Sequence, residues 1–411
     1  MVPETNNGFS PVVPVQKKRP LRTFLKFTAG LAVLLLVFGV GVNVGNGRIS
    51  VGKHEGKTGL PAQLDYTGVS DVYDSLRANY DGKLTEQQMI DGLKHGLAEA
   101  TKDPYTEYFT AKEAKAFKDS INSTFSGIGA ELNLDADKNI VVVAPIADSP
   151  AEKAGLKAKD IIVSINGTST QGMSLDEAVS KVRGEKGTTV KLEVVRASDG
   201  ALQTLSIVRD NIQVASVKTK ILDGNIGYLQ VTSFANDTSD LAKKAAEDFK
   251  AKKVKGIVLD LRNDPGGYLD AAVDLSSLWI PEGKLIVDER GTNGNDKSLA
   301  EGGNILTDIP TVVLINSGSA SASEITAGAL KDNKEAYIIG EKSYGKGVVQ
   351  QLINFPDGSQ LKVTIASWYR PNGQNIQHKG ITPDKTVKIS DQDAEAGTDT
   401  QLNAAQAYLN K

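Results

Sequence analysis

The segment Ser317-Gly318-Ser319-Ala320-Ser321-Ala322-Ser323-Glu324-Ile325 carries the densest chemical signal in the chain. It lies between an apolar run suited to a strand and a small-residue run suited to a helix. A serine at a helix N-terminus meets unpaired backbone N–H groups and the positive end of the helix dipole, and both favour a developing oxyanion. Serine is equally a favoured helix cap. By itself the segment leaves Ser319, Ser321 and Ser323 open, as capping groups or as a nucleophile.

A nucleophilic serine needs a base. His54 falls in a Gly- and Lys-rich spacer, His95 in a helical stretch and His378 in a loop, and no local feature ties any of them to the serine segment. A lysine can replace histidine if it is neutral. Its pKa of about 10.4 must then fall by about three units, against roughly 4 kcal/mol of desolvation or like-charge strain. Lys346, in Gly345-Lys346-Gly347 between two apolar runs, is placed for such burial, and the glycines let other backbone come close. A third constellation is Leu259-Asp260-Leu261-Arg262-Asn263-Asp264-Pro265-Gly266-Gly267. Its Pro-Gly-Gly turn presents backbone N–H groups suited to an oxyanion, although a plain strand-to-helix connection uses the same residues.

Two rival chemistries share the lysine segment. Gly340-Glu341-Lys342-Ser343-Tyr344-Gly345-Lys346 has phosphate-loop spacing, but Gly347 stands where a hydroxyl should hold magnesium, and Val348-Val349-Gln350-Gln351-Leu352 is strand-like. Nucleotide binding is rejected. Ser343-Tyr344-Gly345-Lys346 also fits a Ser-x-x-Lys pair, which needs a helix that the nearby glycines disfavour.

The elements that must position these residues follow from periodicity. Residues 64–80 repeat apolar positions at three- and four-residue intervals, a helix, and a second helix over 85–100 starts at a Thr85/Gln88 capping box. Residues 121–210 form a β-rich module, with strands at 130–134, 140–144, 161–165 and 190–195 and helices at 149–154 and 174–183. From about 215 to 390 strands and helices alternate: apolar runs at 256–261, 311–316 and 337–340, the first two followed by helices at 269–279 and 321–331. A hairpin over 348–354 and 360–367 turns at Pro356-Asp357-Gly358, and a short helix over 400–409 ends the chain.

The 411 residues, 40% hydrophobic, exceed one ordinary core, so roughly two or three domains are expected. A net charge of −3 from 47 basic and 50 acidic residues gives no basic footprint for nucleic acid. The absence of cysteine excludes disulfides, thiolate metal sites and a cysteine nucleophile. Lys17, Lys18, Arg19, Arg22 and Lys26 precede an uncharged run over 27–44, which as a helix spans about 27 Å, enough to cross a bilayer. The cations set the cytoplasmic side, so the rest is expected outside. The exit Gly45-Asn46-Gly47-Arg48 lacks a signal-peptidase pattern, which favours an uncleaved anchor.

Taken together, the segments resemble the C-terminal processing peptidases, or tail-specific proteases. Asp260-Leu261-Arg262-Asn263-Asp264-Pro265-Gly266-Gly267, then Ser319-Ala320-Ser321-Ala322-Ser323-Glu324-Ile325, then Gly345-Lys346-Gly347-Val348-Val349-Gln350 occur in that family's order. Asp103-Pro104-Tyr105-Thr106-Glu107-Tyr108-Phe109 is similar to its arm motif, and Arg370-Pro371-Asn372-Gly373 and Gly380-Ile381-Thr382-Pro383-Asp384 to its closing motifs. The resemblance implies Ser321 as nucleophile, Lys346 as general base, Gln350 as the group orienting the lysine, and an oxyanion hole from the backbone N–H of Ala322 and of Gly266 or Gly267. It departs at Asp264, where the family commonly has Asn.

The resemblance further implies that the β-rich module is a PDZ domain, with Gly127, Ile128, Gly129 and Ala130 as carboxylate loop and residues 174–183 as the groove's other wall; Arg183, beside Gly184, is a candidate for coupling tail binding to the core. The expected fold class is α/β (α+β) and multidomain, comprising a cytoplasmic tail (1–26), one transmembrane helix (27–45), a linker (46–62), a helical arm (63–115), the PDZ domain (116–212), a mixed-sheet protease core (213–390) and a C-terminal helical segment (391–411). The expected protein is a single-pass membrane serine endopeptidase, its catalytic part extracytoplasmic, cutting near protein C-termini with no cofactor or metal. The 64–100 arm is a candidate homodimerisation element. The alternative is an inactive, membrane-tethered PDZ scaffold that binds C-termini.

Overall fold

Residues 256–260 read Gly-Ile-Val-Leu-Asp, and the folded chain buries all five. A strand buried on both faces belongs inside a sheet covered on both sides. The computed structural model describes residues 60–411 apart from 62 and 293. The chain divides into two units, residues 1–72 and 73–411. Of the first, the described residues include the start of helix α1 (Thr67–Asn79), which has no buried residue. The expected tail at 1–26 and anchor at 27–45 lie outside the described residues, among which no helix is long and apolar enough to cross a membrane.

In the second unit the end of α1 is followed by α2 (Glu86–Glu99), where Gln88 N–H donates to Thr85 Oγ1 and Thr85 N–H to Gln88 Oε1, the capping box expected there. Strand β1 (Glu107–Phe109) and helix α3 (Ala111–Ile121) follow. The β-rich module then comprises β2 (Thr124–Gly127), β3 (Ala130–Leu134), β4 (Ile140–Pro145), α4 (Pro150–Lys153), β5 (Ile161–Ile165), β6 (Thr168–Ser169), α5 (Leu175–Val182), β7 (Thr189–Val195), β8 (Leu202–Val208) and β9 (Asp210–Gln213). Its sheet runs β3-β4-β5-β7-β8, with β6 on β5, so β3 is an edge strand. Along β7 the side chains of Val190, Leu192 and Val194 point inward, the period of two expected of a strand with one buried face. They join Ile140, Ile162 and Ile207 in a core belonging to the module alone. β2 and β9 pair with each other outside that sheet, where the chain passes into and out of the module.

The remaining elements are β10 (Val217–Leu222), β11 (Ile226–Val231), α6 (Thr238–Ala251), β12 (Gly256–Asp260), α7 (Leu269–Ser277), β13 (Leu285–Gly291), β14 (Gly294–Leu299), β15 (Thr311–Ile315), α8 (Ala322–Asp332), β16 (Tyr337–Gly340), β17 (Val348–Asn354), β18 (Gln360–Tyr369), β19 (Lys385–Thr386), α9 (Asp391–Glu395) and α10 (Thr400–Leu409). The main sheet runs β10-β11-β12-β15-β16-β19, parallel throughout except for β10. Phe249 of α6, Leu275 of α7 and Leu330 of α8 share the larger core with Leu259 and Val313 of the sheet. On the opposite face Ala405 of α10 packs with Val258, Leu314 and Ile339. A second sheet, β1-β18-β13-β14 with β17 also on β18, carries the expected hairpin. The short β1 joins it through Glu107–Lys362 and Phe109–Gln360, an attachment too brief to leave a periodic signal in the sequence.

Candidate active site

In an open parallel sheet the loops after the strands gather at one edge, where ligands bind. The turn after β12, the loop after β15 and the loop after β16 hold the three constellations singled out in the sequence. They surround a cavity of about 390 Å3 lined by Ser321, Ala322, Gly266, Gly267, Lys346 and Gln350.

The serine loop separates its three serines by burial. Ser319 and Ser323 are fully buried, and their hydroxyls donate to backbone carbonyls, Ser319 to Leu261 at 2.7 Å and Ser323 to Asp264 at 2.9 Å. Ser321 lines the cavity instead. Its φ of 54° and ψ of −115° are unusual for a residue with a Cβ, a local strain that the surrounding bonds must hold. Ala320 N–H donates to Asp264 O at 3.0 Å, and Ser321 N–H donates to Glu324 Oε2 at 3.0 Å.

Glu324 is the site residue that the sequence reading missed. Three positions after Ser321 at a helix start, it has only the signature of a capping glutamate. It is fully buried, and its Oε2 also accepts the Lys346 N–H at 2.9 Å while Oε1 accepts Gly345 N–H at 2.7 Å and the Ser343 hydroxyl at 2.5 Å. Burial raises its pKa, opposed by these donors. One carboxyl therefore ties the backbone of the serine loop to that of the lysine loop. Ser343, the serine of the Ser-x-x-Lys alternative, is held under the loop by Glu324 and by the Ile381 N–H, away from the cavity lining.

Lys346 is depressed below the usual lysine range, first by burial and then by the charge of Lys362, with Asp103 and Glu324 acting the other way. Its Nζ stands over the Tyr105 ring, 5.3 Å from the centroid. The flanking glycines are required by packing. A Cβ on Gly347 would lie 2.5 Å from Gln377 N, and one on Gly345 2.8 Å from Gly380 N. No hydrogen bond joins Lys346 Nζ to Ser321 Oγ, so proton transfer needs a closer approach than this resting geometry, as unliganded sites often do. Gln350 donates to Thr364 Oγ1 at 3.3 Å and makes no bond to the lysine.

The turn after β12 passes against the serine. A Cβ on Gly266 would lie 2.8 Å from Ser321 Cβ and 2.9 Å from Ala322 N. The Gly266 N–H is already donated, to Asp264 Oδ1 at 2.8 Å. The N–H groups of Gly267 and Ala322 have no acceptor among the described residues, which makes them the pair free to meet an oxyanion. In the β-rich module Ile128 is buried in the module's core, Ala151 N–H donates to its carbonyl, and Gly129 (φ 77°) packs against Ser149. Ala130 begins β3, which lies beside α5. Arg183 stacks on Phe125, 4.7 Å from the ring centroid, beside Gly127 and outside the catalytic cavity.

The family model of peptidase family S41 matches residues 225–387, and a PDZ domain model matches residues 141–196. The chain is 38% identical over 376 residues to the carboxy-terminal processing protease CtpA of Bacillus subtilis (strain 168), covering 91% of this chain and 78% of that protein. The chain belongs to the C-terminal processing proteases of family S41. It is therefore a serine peptidase, a hydrolase of peptide bonds, with a PDZ domain. A CtpA-like serine protease described from Staphylococcus haemolyticus (strain JCSC1435) is 40% identical, over 77% of this chain and 63% of that protein. A solved structure from Bacteroides fragilis NCTC 9343, grouped with the S41 proteases, has the same fold (TM-score 0.55, 18% identity, 85% of this chain and 99% of that one).

Proposed function

We propose that this S41 protease cleaves proteins near their C-termini with Ser321 as nucleophile and Lys346 as general base. The observation that carries the reading is the cavity that Ser321, on a strained turn, shares with a lysine whose burial favours the neutral amine. Neutral Lys346 takes the Ser321 proton as Oγ bonds to the carbonyl carbon. The oxyanion is met by the N–H groups of Ala322 and Gly267. The C–N bond then breaks, the departing amine takes the proton back from Lys346, and water releases the acyl group from Ser321. Gln350, on a strand beside the lysine loop, would orient the amine once substrate fills the cavity.

The PDZ domain supplies the tail grip. Free β3 offers an edge for an added strand, and the Gly127–Ala130 backbone begins it, the arrangement that suits an extended C-terminus. The cations before residue 27 and the apolar run after them support an anchor holding the protease outside the cytoplasm; extraction of membranes with carbonate, and protease shaving of intact cells, test it. Exposed Leu93 and Leu97 on α2 support pairing of two copies through the arm, read by sedimentation velocity.

Ser321→Ala is the deciding variant. It is expected to bind an apolar-tailed substrate and to lose cleavage by a factor of at least about 10^3. Cleavage equal to the parent's would overturn Ser321 chemistry, and binding without cleavage by the parent itself would favour the scaffold alternative.

A further inference from the structure

Asp264 occupies the turn between β12 and α7 and is wholly buried. Its two carboxyl oxygens meet different surroundings. Oδ1 accepts the Gly266 N–H at 2.8 Å, whereas Oδ2, also shut off from solvent, has no partner among the described residues. Its backbone carbonyl is engaged separately by Ala320 N–H at 3.0 Å and the Ser323 hydroxyl at 2.9 Å. The residue is thus pinned between the oxyanion turn and the serine loop.

Among the described residues no cation balances this carboxyl. Arg262, from the same turn, is committed to Asp260 and Asp399. From the β16–β17 loop Lys346 lies over Tyr105, and from β18 Lys362 pairs with Glu107 at 2.9 Å. On α8 the nearby ionisable group is Glu324, itself a carboxyl, engaged by the lysine loop. From the β15 loop the side chains of Ser319 and Asn316 that bond the turn are neutral. An isolated charge in such a place is costly, and burial pushes Asp264 up to about 7 against the Gly266 N–H and the nearby Ser323 hydroxyl, which favour the ionised form.

Ionisation here has a specific consequence for acyl transfer. A carboxylate holds the Gly266 N–H more tightly than a neutral acid does, and it sets a like charge beside the position of the developing oxyanion. Resting on the reading of Ser321 as nucleophile, we propose that Asp264 is a positioning residue that makes the oxyanion site proton-responsive: the neutral carboxyl leaves the turn able to receive an oxyanion, and the ionised one opposes it.

The test is Asp264→Asn, which keeps the shape and the acceptor for Gly266 but cannot ionise. With kcat/KM measured on one peptide substrate across the neutral range, the variant-to-parent ratio is expected to climb by about fivefold or more from pH 6 to pH 9, approaching tenfold per unit once the parent's group is titrated. Lys346 titrates in both proteins, so it cancels in the ratio. A peptide aldehyde, whose adduct with Ser321 carries an oxyanion, adds a readout that a purely structural role would not move. Its affinity for the parent is expected to weaken with rising pH relative to the matching peptide alcohol, and for Asp264→Asn it should not. A flat ratio, or aldehyde and alcohol affinities that move together in the parent, would overturn the proposal; the parent's own aldehyde-to-alcohol comparison keeps it testable if the variant folds poorly. Ser321→Ala serves as the separating control, because retained cleavage there would sink the nucleophile assignment instead.

Discussion

Lys346 can act as a base only after losing its proton, and its neighbours pull on that proton in opposite directions. Burial and the ammonium of Lys362 favour release, while Asp103 and Glu324 favour retention. Removing Lys362 should therefore raise the Lys346 pKa and move the acid limb of kcat/KM to higher pH. Lys362→Met is expected to lose activity by up to about tenfold per unit of that shift below the limb and to recover at alkaline pH. A limb that stays in place would show that burial alone tunes the lysine. Ser321 carries a second, mechanical consequence. Its positive φ is strained for any side chain with a Cβ, so Ser321→Gly should be more stable than Ser321→Ala by roughly 1 kcal/mol, with both expected to be inactive if Ser321 is the proposed nucleophile. Calorimetry on the two variants reads this directly, as a higher unfolding temperature for the glycine. The choice among Ser319, Ser321 and Ser323 was not legible from residue types, because three identical side chains differ only in what the folded loop buries.

At the scale of elements, the site is three loops, two of them, the serine loop and the lysine loop, joined by the Glu324 carboxyl. Glu324→Gln keeps the volume but turns an amide N–H toward donors that need an acceptor. A buried donor left without a partner costs about 1–3 kcal/mol. The expected outcome is a lower melting point together with a kcat that falls more than KM rises, since the loops would lose their mutual spacing; equal changes in both would assign Glu324 to substrate binding. The strands were readable where both faces are apolar, as at Gly256–Asp260 and Thr311–Ile315, and where turn residues bound a run. β1 was not, since three residues paired at a sheet edge leave no period. Glu324 was hidden for another reason: its spacing from Ser321 is also that of an ordinary capping glutamate, and the contact with Lys346 spans 22 residues of sequence.

Across the molecule, the C-terminal segment is clamped to the sheet by charge. Arg262 reaches Asp260 at 2.6 Å and Asp399 at 2.8 Å, and Tyr228 donates to Asp260 at 2.8 Å. Burial pushes Asp399 upward, but its bonds to Arg262 win and hold it below the ordinary carboxylate range. A depressed carboxyl stabilises above its unfolded pKa and loses that contribution as pH falls through the folded one. Urea midpoints should thus decline in acid for the parent and less so for Asp399→Asn. Arg262→Met, which strands the buried Asp260, is expected to destabilise by roughly 3–5 kcal/mol in the same assay.

The paired β2 and β9 bring the two ends of the PDZ segment side by side, with Val214 N–H donating to Ser123 O at 3.0 Å. A module whose ends adjoin and whose core is its own behaves as a cartridge. If the PDZ domain grips the tail as proposed, exchanging residues 124–213 for the equivalent stretch of a relative is expected to transplant the choice of tail into an unaltered catalytic frame.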